Sequence, residues 1–216
     1  MCKLYLGSNK LNSPDKTILK PITNCTITNG NPNITYNGIA SGFENLSNLM
    51  SIVPLKVYTA NEIINILEAN ITLRPSGSFN LNARPVQDTE GIDTIGGMWF
   101  SCLGPGFKVW FRDSSGYLGC QCRPDGGLQL GTLYRFKITL ENGTSYKSYM
   151  SINGGKMTLV EEGTLDRQPY IKSNITKYNI GNRRYQDECY FPGEIYLSSI
   201  DVKINGEQYI KGYWQY

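Results

Sequence analysis

Without a single histidine, this chain of 216 residues has few ways to move a proton near neutral pH. The absence removes Ser–His–Asp and Cys–His catalysis, imidazole metal ligation and the usual near-neutral acid or base together. Carboxylates and thiols remain. The adjacent pairs Glu161-Glu162 and Asp187-Glu188 would point to opposite faces of a strand. Glycoside hydrolysis instead needs two carboxyls about 5–9 Å apart across one cleft, so these read as solvated loop acids. The six cysteines are Cys2, Cys25, Cys102, Cys120, Cys122 and Cys189. Cys120-Gln-Cys122 places two thiols on one strand face but lacks the C-x2-C spacing of a zinc site. With no export leader in view, buried free thiols are expected, while the even count keeps a disulfide open. The reading is no catalytic residue, no metal and no cofactor.

Aromatic side chains beside cations offer a different chemistry. In "FKVWFRD", Phe107, Val109 and Phe111 alternate with Lys108, Trp110 and Arg112. An indole between two cations suits stacking on a sugar or packing at an interface; burial beneath another segment or a neighbouring subunit is the competing reading. "IGNRRYQDECY" holds Asn182, Arg183, Arg184 and Tyr185, types that hydrogen-bond and stack on glycans, so it reads as a recognition rim or as an ordinary solvated loop. Tyr213, Trp214 and Tyr216 crowd the C-terminus. That much aromatic area is expected to dock on the protein itself or on a partner. Net charge is +3 with no Lys/Arg run beyond Arg183-Arg184, so no nucleic-acid partner is expected. No apolar run approaches the ~18 residues of a membrane span, and "MCKLYLGSNKLNSP" lacks the apolar core of a secretory signal. A soluble product made in the cytoplasm is expected. Six Asn-x-Ser/Thr matches, at Asn24, Asn33, Asn45, Asn70, Asn142 and Asn174, then read as coding bias rather than glycosylation sites.

The elements that would position these side chains are strands. Gly, Asn and Ser punctuate the chain about every ten residues, the pattern of a sandwich or barrel. Residues 59–70 fit a strand, with Ile64, Ile66, Ile71 and Leu73 alternating, better than an amphipathic helix. "LYRFKITL" alternates cleanly through Tyr134, Phe136, Ile138 and Leu140, and Tyr146, Met150 and Ile152 share a face of the returning strand. A three-residue loop of Glu141-Asn142-Gly143, with Gly143 left-handed, sets Ile138 opposite Tyr146 and Tyr134 opposite Met150. In "YFPGEIYLSSIDVKING" the apolar beat skips: Ile195 and Leu197 are odd, Ile200, Val202 and Ile204 even. A period-2 pattern that slips marks either a β-bulge at Ser198-Ser199 or a strand bending from one sheet to another. Asn205-Gly206 reads as a tight hairpin turn. The first 39 residues, rich in Asn, Pro and Thr, read as an extended arm or an added hairpin.

Four phrases together resemble the concanavalin A-like, laminin-G-type jelly rolls of bacteriophage tail and fibre proteins: "ASGFENLSNLM" (40–50), "GTLYRFKITLENGTSYKSYMSINGG" (131–155), "YNIGNRR" (178–184) and "YFPGEIYLSSIDVKING" (190–206). The opening "KLYLGSNKL" (3–11) is also similar to starts of phage tail proteins. The resemblance implies an all-β, two-sheet antiparallel jelly-roll sandwich over residues 40–216, with residues 1–39 as an arm or attachment segment. It implies a non-catalytic virion structural or adhesive protein, with other virion proteins, a homo-oligomer and host-surface glycans as partners. Trp110, Arg112, Asn182, Arg183, Arg184 and Tyr185 become the ligand candidates, and Tyr213, Trp214 and Tyr216 the interface. The alternatives are a capsid-bound decoration subunit, a glycan-active enzyme and a bacterial lectin. Against the enzyme, the closest approach to the E-x-D-x-(x)-E strand of glucanases is Glu90-Gly91-Ile92-Asp93, without the alternation. "RPDGG" (123–127) and "YQDE" (185–188) scatter their acids, unlike a calcium lectin site.

Overall fold

The computed structural model describes residues 2–6, 25–29, 33–35, 51–75, 83–88, 95–181, 191 and 193–212. Among them every regular element is a strand. These are β1 (Cys2–Leu6), β2 (Cys25–Asn29), β3 (Asn33–Thr35), β4 (Ser51–Ile52), β5 (Glu62–Ile63), β6 (Leu67–Pro75), β7 (Ala83–Asp88), β8 (Met98–Leu103) and β9 (Gly106–Asp113). There follow β10 (Gly116–Cys122), β11 (Tyr134–Glu141), β12 (Ser145–Ile152), β13 (Thr158–Thr164), β14 (Tyr170–Ile171), β15 (Tyr178–Ile180), β16 (Gly193–Ile204) and β17 (Glu207–Lys211). The large sheet runs β13-β12-β11-β6-β16-β3-β1-β2, with β17 also on β16, and the small sheet runs β10-β9-β8-β7-β15-β4.

The two sheets enclose one apolar core. β6 alternates buried and half-buried residues along its whole length, and Tyr134, Phe136, Ile138 and Leu140 are all buried, as their period of two requires. Each such side chain contributes roughly 1.5–3 kcal/mol by leaving water. Phe107 of the small sheet stacks on Phe136 of the large one, ring centroids 4.5 Å apart. At another point the sheets are joined by a buried hydrogen bond between the Tyr178 and Tyr209 hydroxyls, 3.0 Å. This is the expected all-β jelly-roll sandwich.

The skipped beat of the last long strand is a bulge within one sheet. Tyr196 pairs with Thr72 and Asp201 with Asn70, so four residues of β16 stand opposite Ile71 alone. Three surplus residues, an odd number, carry burial from Ile195 to Ile200, Val202 and Ile204. The insertion is longer than the single extra residue of an ordinary bulge. The Ser199 hydroxyl repairs the broken ladder. It accepts from the Thr72 N–H at 2.6 Å and donates to the Tyr196 carbonyl at 2.6 Å.

Three expectations need correction. The β11–β12 loop has three residues, but they are Asn142, Gly143 and Thr144, because Glu141 pairs with Ser145. Ile138 therefore faces Ser148 and Tyr134 faces Ile152, a two-residue shift that preserves the faces. Gly143 is left-handed as expected, and so is Asn142, at φ 52°; this Asn tolerates the region well enough to move the loop one residue on. Second, Ile66 is exposed while Ile64 and Leu67 are buried. The Asn205 carboxamide holds the backbone there, accepting from the Asn65 and Ile66 N–H groups, and so interrupts the alternation. Third, Ile152 is exposed at the end of β12 rather than sharing the buried face of Tyr146 and Met150. Asn205 and Gly206 form the expected two-residue turn, both left-handed, between Ile204 and Glu207. Within the first 39 residues, β3 pairs with the first half of β16, and β1 joins β3 antiparallel but β2 in parallel.

Candidate functional site

The alternation of β9 that buries Phe107, Val109 and Phe111 turns Lys108, Trp110 and Arg112 to the outer face of the small sheet. The ladder sets Trp99 of β8 and Gly119 of β10 on either side of Trp110. The two indole planes are nearly parallel and stacked, centroids 6.3 Å apart at 19°, and Tyr117 meets both edge-on. Gly119 makes this possible. A Cβ there would come within 2.9 Å of the Trp110 ring, so a side chain would lift the indole off the sheet. The Trp110 Nε1–H donates to the Ser101 hydroxyl at 2.8 Å and locks the ring's direction.

Cations cap this aromatic shelf. The Lys108 ammonium sits 4.7 Å from the Trp110 centroid, Arg112 lies 5.2 Å from Tyr117 and Arg84 4.8 Å from Trp99. Burial, joined by the nearby Arg123 guanidinium, pulls the Lys108 ammonium below its usual range, with Glu161 pulling back. Exposure grades across the face. Arg84, Gln87, Trp99 and Ser101 are buried outside the apolar core, Trp110 is half-buried, and Tyr117 is exposed. The buried Trp99 Nε1 has no acceptor among the described residues.

Of the candidates read from sequence, Trp110 and Arg112 thus meet on one face, each with an aromatic neighbour. Asn182, Arg183, Arg184, Tyr185, Tyr213, Trp214 and Tyr216 lie outside the described residues. So do Asp187 and Glu188, whereas Glu161 and Glu162 are not loop acids as expected but lie in strand β13, where Glu161 is half-buried 3.8 Å from Arg123 and Glu162 is exposed. Cys102, Cys120 and Cys122 are buried free thiols. Cys102 and Cys122 flank Phe107 on the two neighbouring strands, ~10 Å apart by strand spacing and outside disulfide reach. Burial pushes the Cys120 thiol up to about 12 and Cys122 to about 11, the latter against a hydrogen bond from Ser148. Among the described residues no group of three or more His, Cys, Asp or Glu side chains is placed to hold a metal.

Sequence reasoning missed a second feature, a groove of about 490 Å³ on the outer face of the large sheet. Asn70 and Thr72 of β6 form its floor, Arg135 and Lys137 of β11 one wall, and Ser199, Asp201 and Lys203 of β16 the other, with Glu68 at one end. Its acids are engaged. Glu68 lies 3.3 Å from the Lys137 ammonium, and Asp201 lies 3.4 Å from Lys211 and accepts from the Gln208 amide at 2.9 Å. The signal was the bulge itself, which was read as architecture and not as the wall of a site.

No family model matches the chain. No curated protein sequence matches it. Solved structures do. The binding domain of botulinum neurotoxin serotype G overlays with a TM-score of 0.50 at 12% identity, covering 85% of this chain and 40% of the other. Domains LG4-5 of the mouse laminin α1 chain give 0.43 at 11% identity, covering 70% and 40%. The enzymatically active domain of tailspike protein 2 of bacteriophage CBA120 gives 0.42 at 11%, covering 74% and 24%. The chain therefore spans less than half the length of each. At such identities the likeness is one of fold alone, an all-β jelly-roll sandwich.

Proposed function

We propose that this jelly roll is a non-catalytic adhesive module of a bacteriophage particle, a fibre or tail component that binds host-surface glycans. The observation that carries the reading is the Trp110 shelf, an indole held flat on Gly119 with Lys108 above it and Tyr117 and Arg112 beside it. The indole face that Lys108 covers suits the apolar face of a sugar ring once that flexible ammonium swings aside, and the flanking cations suit the sugar's polar substituents. Asn182, Arg183, Arg184 and Tyr185 extend the recognition surface in this proposal. Tyr213, Trp214 and Tyr216 serve contacts with other virion proteins or with further copies of the chain, and the segment of residues 1–39, whose β3 pairs with β16, attaches the module to the particle. The resemblance of residues 131–155 and 190–206 to tail and fibre proteins supports the placement on a virion.

A glycan array of host polysaccharides tests it, read with the native chain and with Trp110→Ala. Losing an aromatic stacking contact of about 1–3 kcal/mol predicts roughly a fivefold to hundredfold weaker signal on the preferred glycan. Flat binding across the array, or a signal unchanged by Trp110→Ala, would overturn the shelf. Glu68 and Asp201 share one groove, and this favours one rival reading, a glycan-active enzyme. Shortened polysaccharide chains after incubation would put that reading first.

A further inference from the structure

We infer that the groove on the outer face of the large sheet is a second binding site, separate from the aromatic shelf, and that it takes an acidic oligosaccharide. The argument begins with its charges. Glu68 and Asp201 are matched by Lys137 and Lys211. Arg135 and Lys203 also line the groove, and neither has a carboxylate within ion-pair distance among the described residues. Two positive charges are therefore left over, one on each wall.

Their separation sets the size of the ligand. Arg135 pairs with Thr72 and Lys203 with Glu68, on opposite sides of β6. Four residues of strand span ~13 Å, longer than a single sugar ring, so one monosaccharide cannot engage both cations. Between them the Asn70 carboxamide and the Thr72 hydroxyl bond to nothing else among the described residues. A chain of sugars carrying carboxylates at intervals answers both features: anions for Arg135 and Lys203, hydroxyls for the floor. Arginine is the better of the two for a carboxylate, because its guanidinium can grip both oxygens.

The groove exists because of the bulge. The Ser199 hydroxyl turns along the sheet toward β6, to the Thr72 N–H and the Tyr196 carbonyl. The surplus residues shift the outward set of β16 to Ser199, Asp201 and Lys203, which brings Lys203 to the wall. Without that slip the outward and inward sets of β16 beyond residue 196 would exchange.

Isothermal titration with a uronic-acid oligomer, its carboxyl-reduced neutral counterpart and a glycerol-phosphate polymer tests the inference, at low and at physiological salt. The native chain should bind the uronic-acid oligomer at least tenfold more tightly than the neutral one, and more weakly as salt rises. Arg135→Gln combined with Lys203→Gln should lower that affinity tenfold or more, since charge-assisted hydrogen bonds are at stake. Both side chains lie on the surface, and an unchanged melting temperature verifies folding. Trp110→Ala should leave this binding intact while weakening the array signal on the preferred glycan, so the two sites can fail independently. Equal binding of the neutral oligomer, indifference to the double substitution, loss through Trp110→Ala, or tighter binding of the phosphate polymer would each overturn the proposal.

Discussion

At the scale of single residues, the thiols and the indoles differ in how far sequence predicts them. An alternating strand puts Cys120 and Cys122 on the face of Leu118, and all three are buried. Their reactivity follows from burial, because the thiolate is the reactive form and desolvation disfavours it. In a chain with Cys2, Cys25 and Cys189 replaced by Ser, a thiol reagent at pH 8 should therefore leave Cys102, Cys120 and Cys122 unlabelled until denaturant is added. Rapid native labelling would contradict the buried core. Trp110 on the polar face was equally legible. Its partners Trp99 and Gly119 were not, because they come from two other strands through a register that no local pattern states.

At the scale of elements, the slip in β16 shows what periodicity can reveal. A change of buried face halfway along a strand requires an odd number of surplus residues, and the positions of Ile195 and Ile200 are enough to see it. How many residues are surplus depends on the partner strand, where Thr72 and Asn70 close the ladder around them. Ser199 is the residue that makes the insertion tolerable. Ser199→Ala leaves the Thr72 N–H without its acceptor and should lower unfolding stability by about 1–2 kcal/mol, measured by urea titration. An unchanged midpoint would mean that water takes the acceptor's place. The β11–β12 loop teaches the converse. Its length was readable from faces that must match, but its exact residues were not, since Asn142 enters the left-handed region at little cost.

At the scale of the whole molecule, the sandwich is joined by contacts between residues far apart in the chain. Tyr178 and Tyr209 share one buried hydrogen bond between the sheets, and burial holds both hydroxyls well above their usual range. Replacing Tyr209 by Phe strands the Tyr178 hydroxyl, so thermal unfolding should show a loss of about 1–3 kcal/mol, and removing both hydroxyls should cost less than the two single losses added. Strict additivity would show that the pair does not act as a unit. The sequence by itself determined the all-β class, most of the side chains that point inward, where β16 changes face, and that no histidine chemistry is available, because alternation and composition are local properties. Only the tertiary structure decided which outward side chains become neighbours. It assembled the Trp99–Trp110–Tyr117 shelf and opened the groove between Arg135 and Lys203, because both arise from the pairing of strands, and pairing across a sheet is chosen by the packing of the whole core.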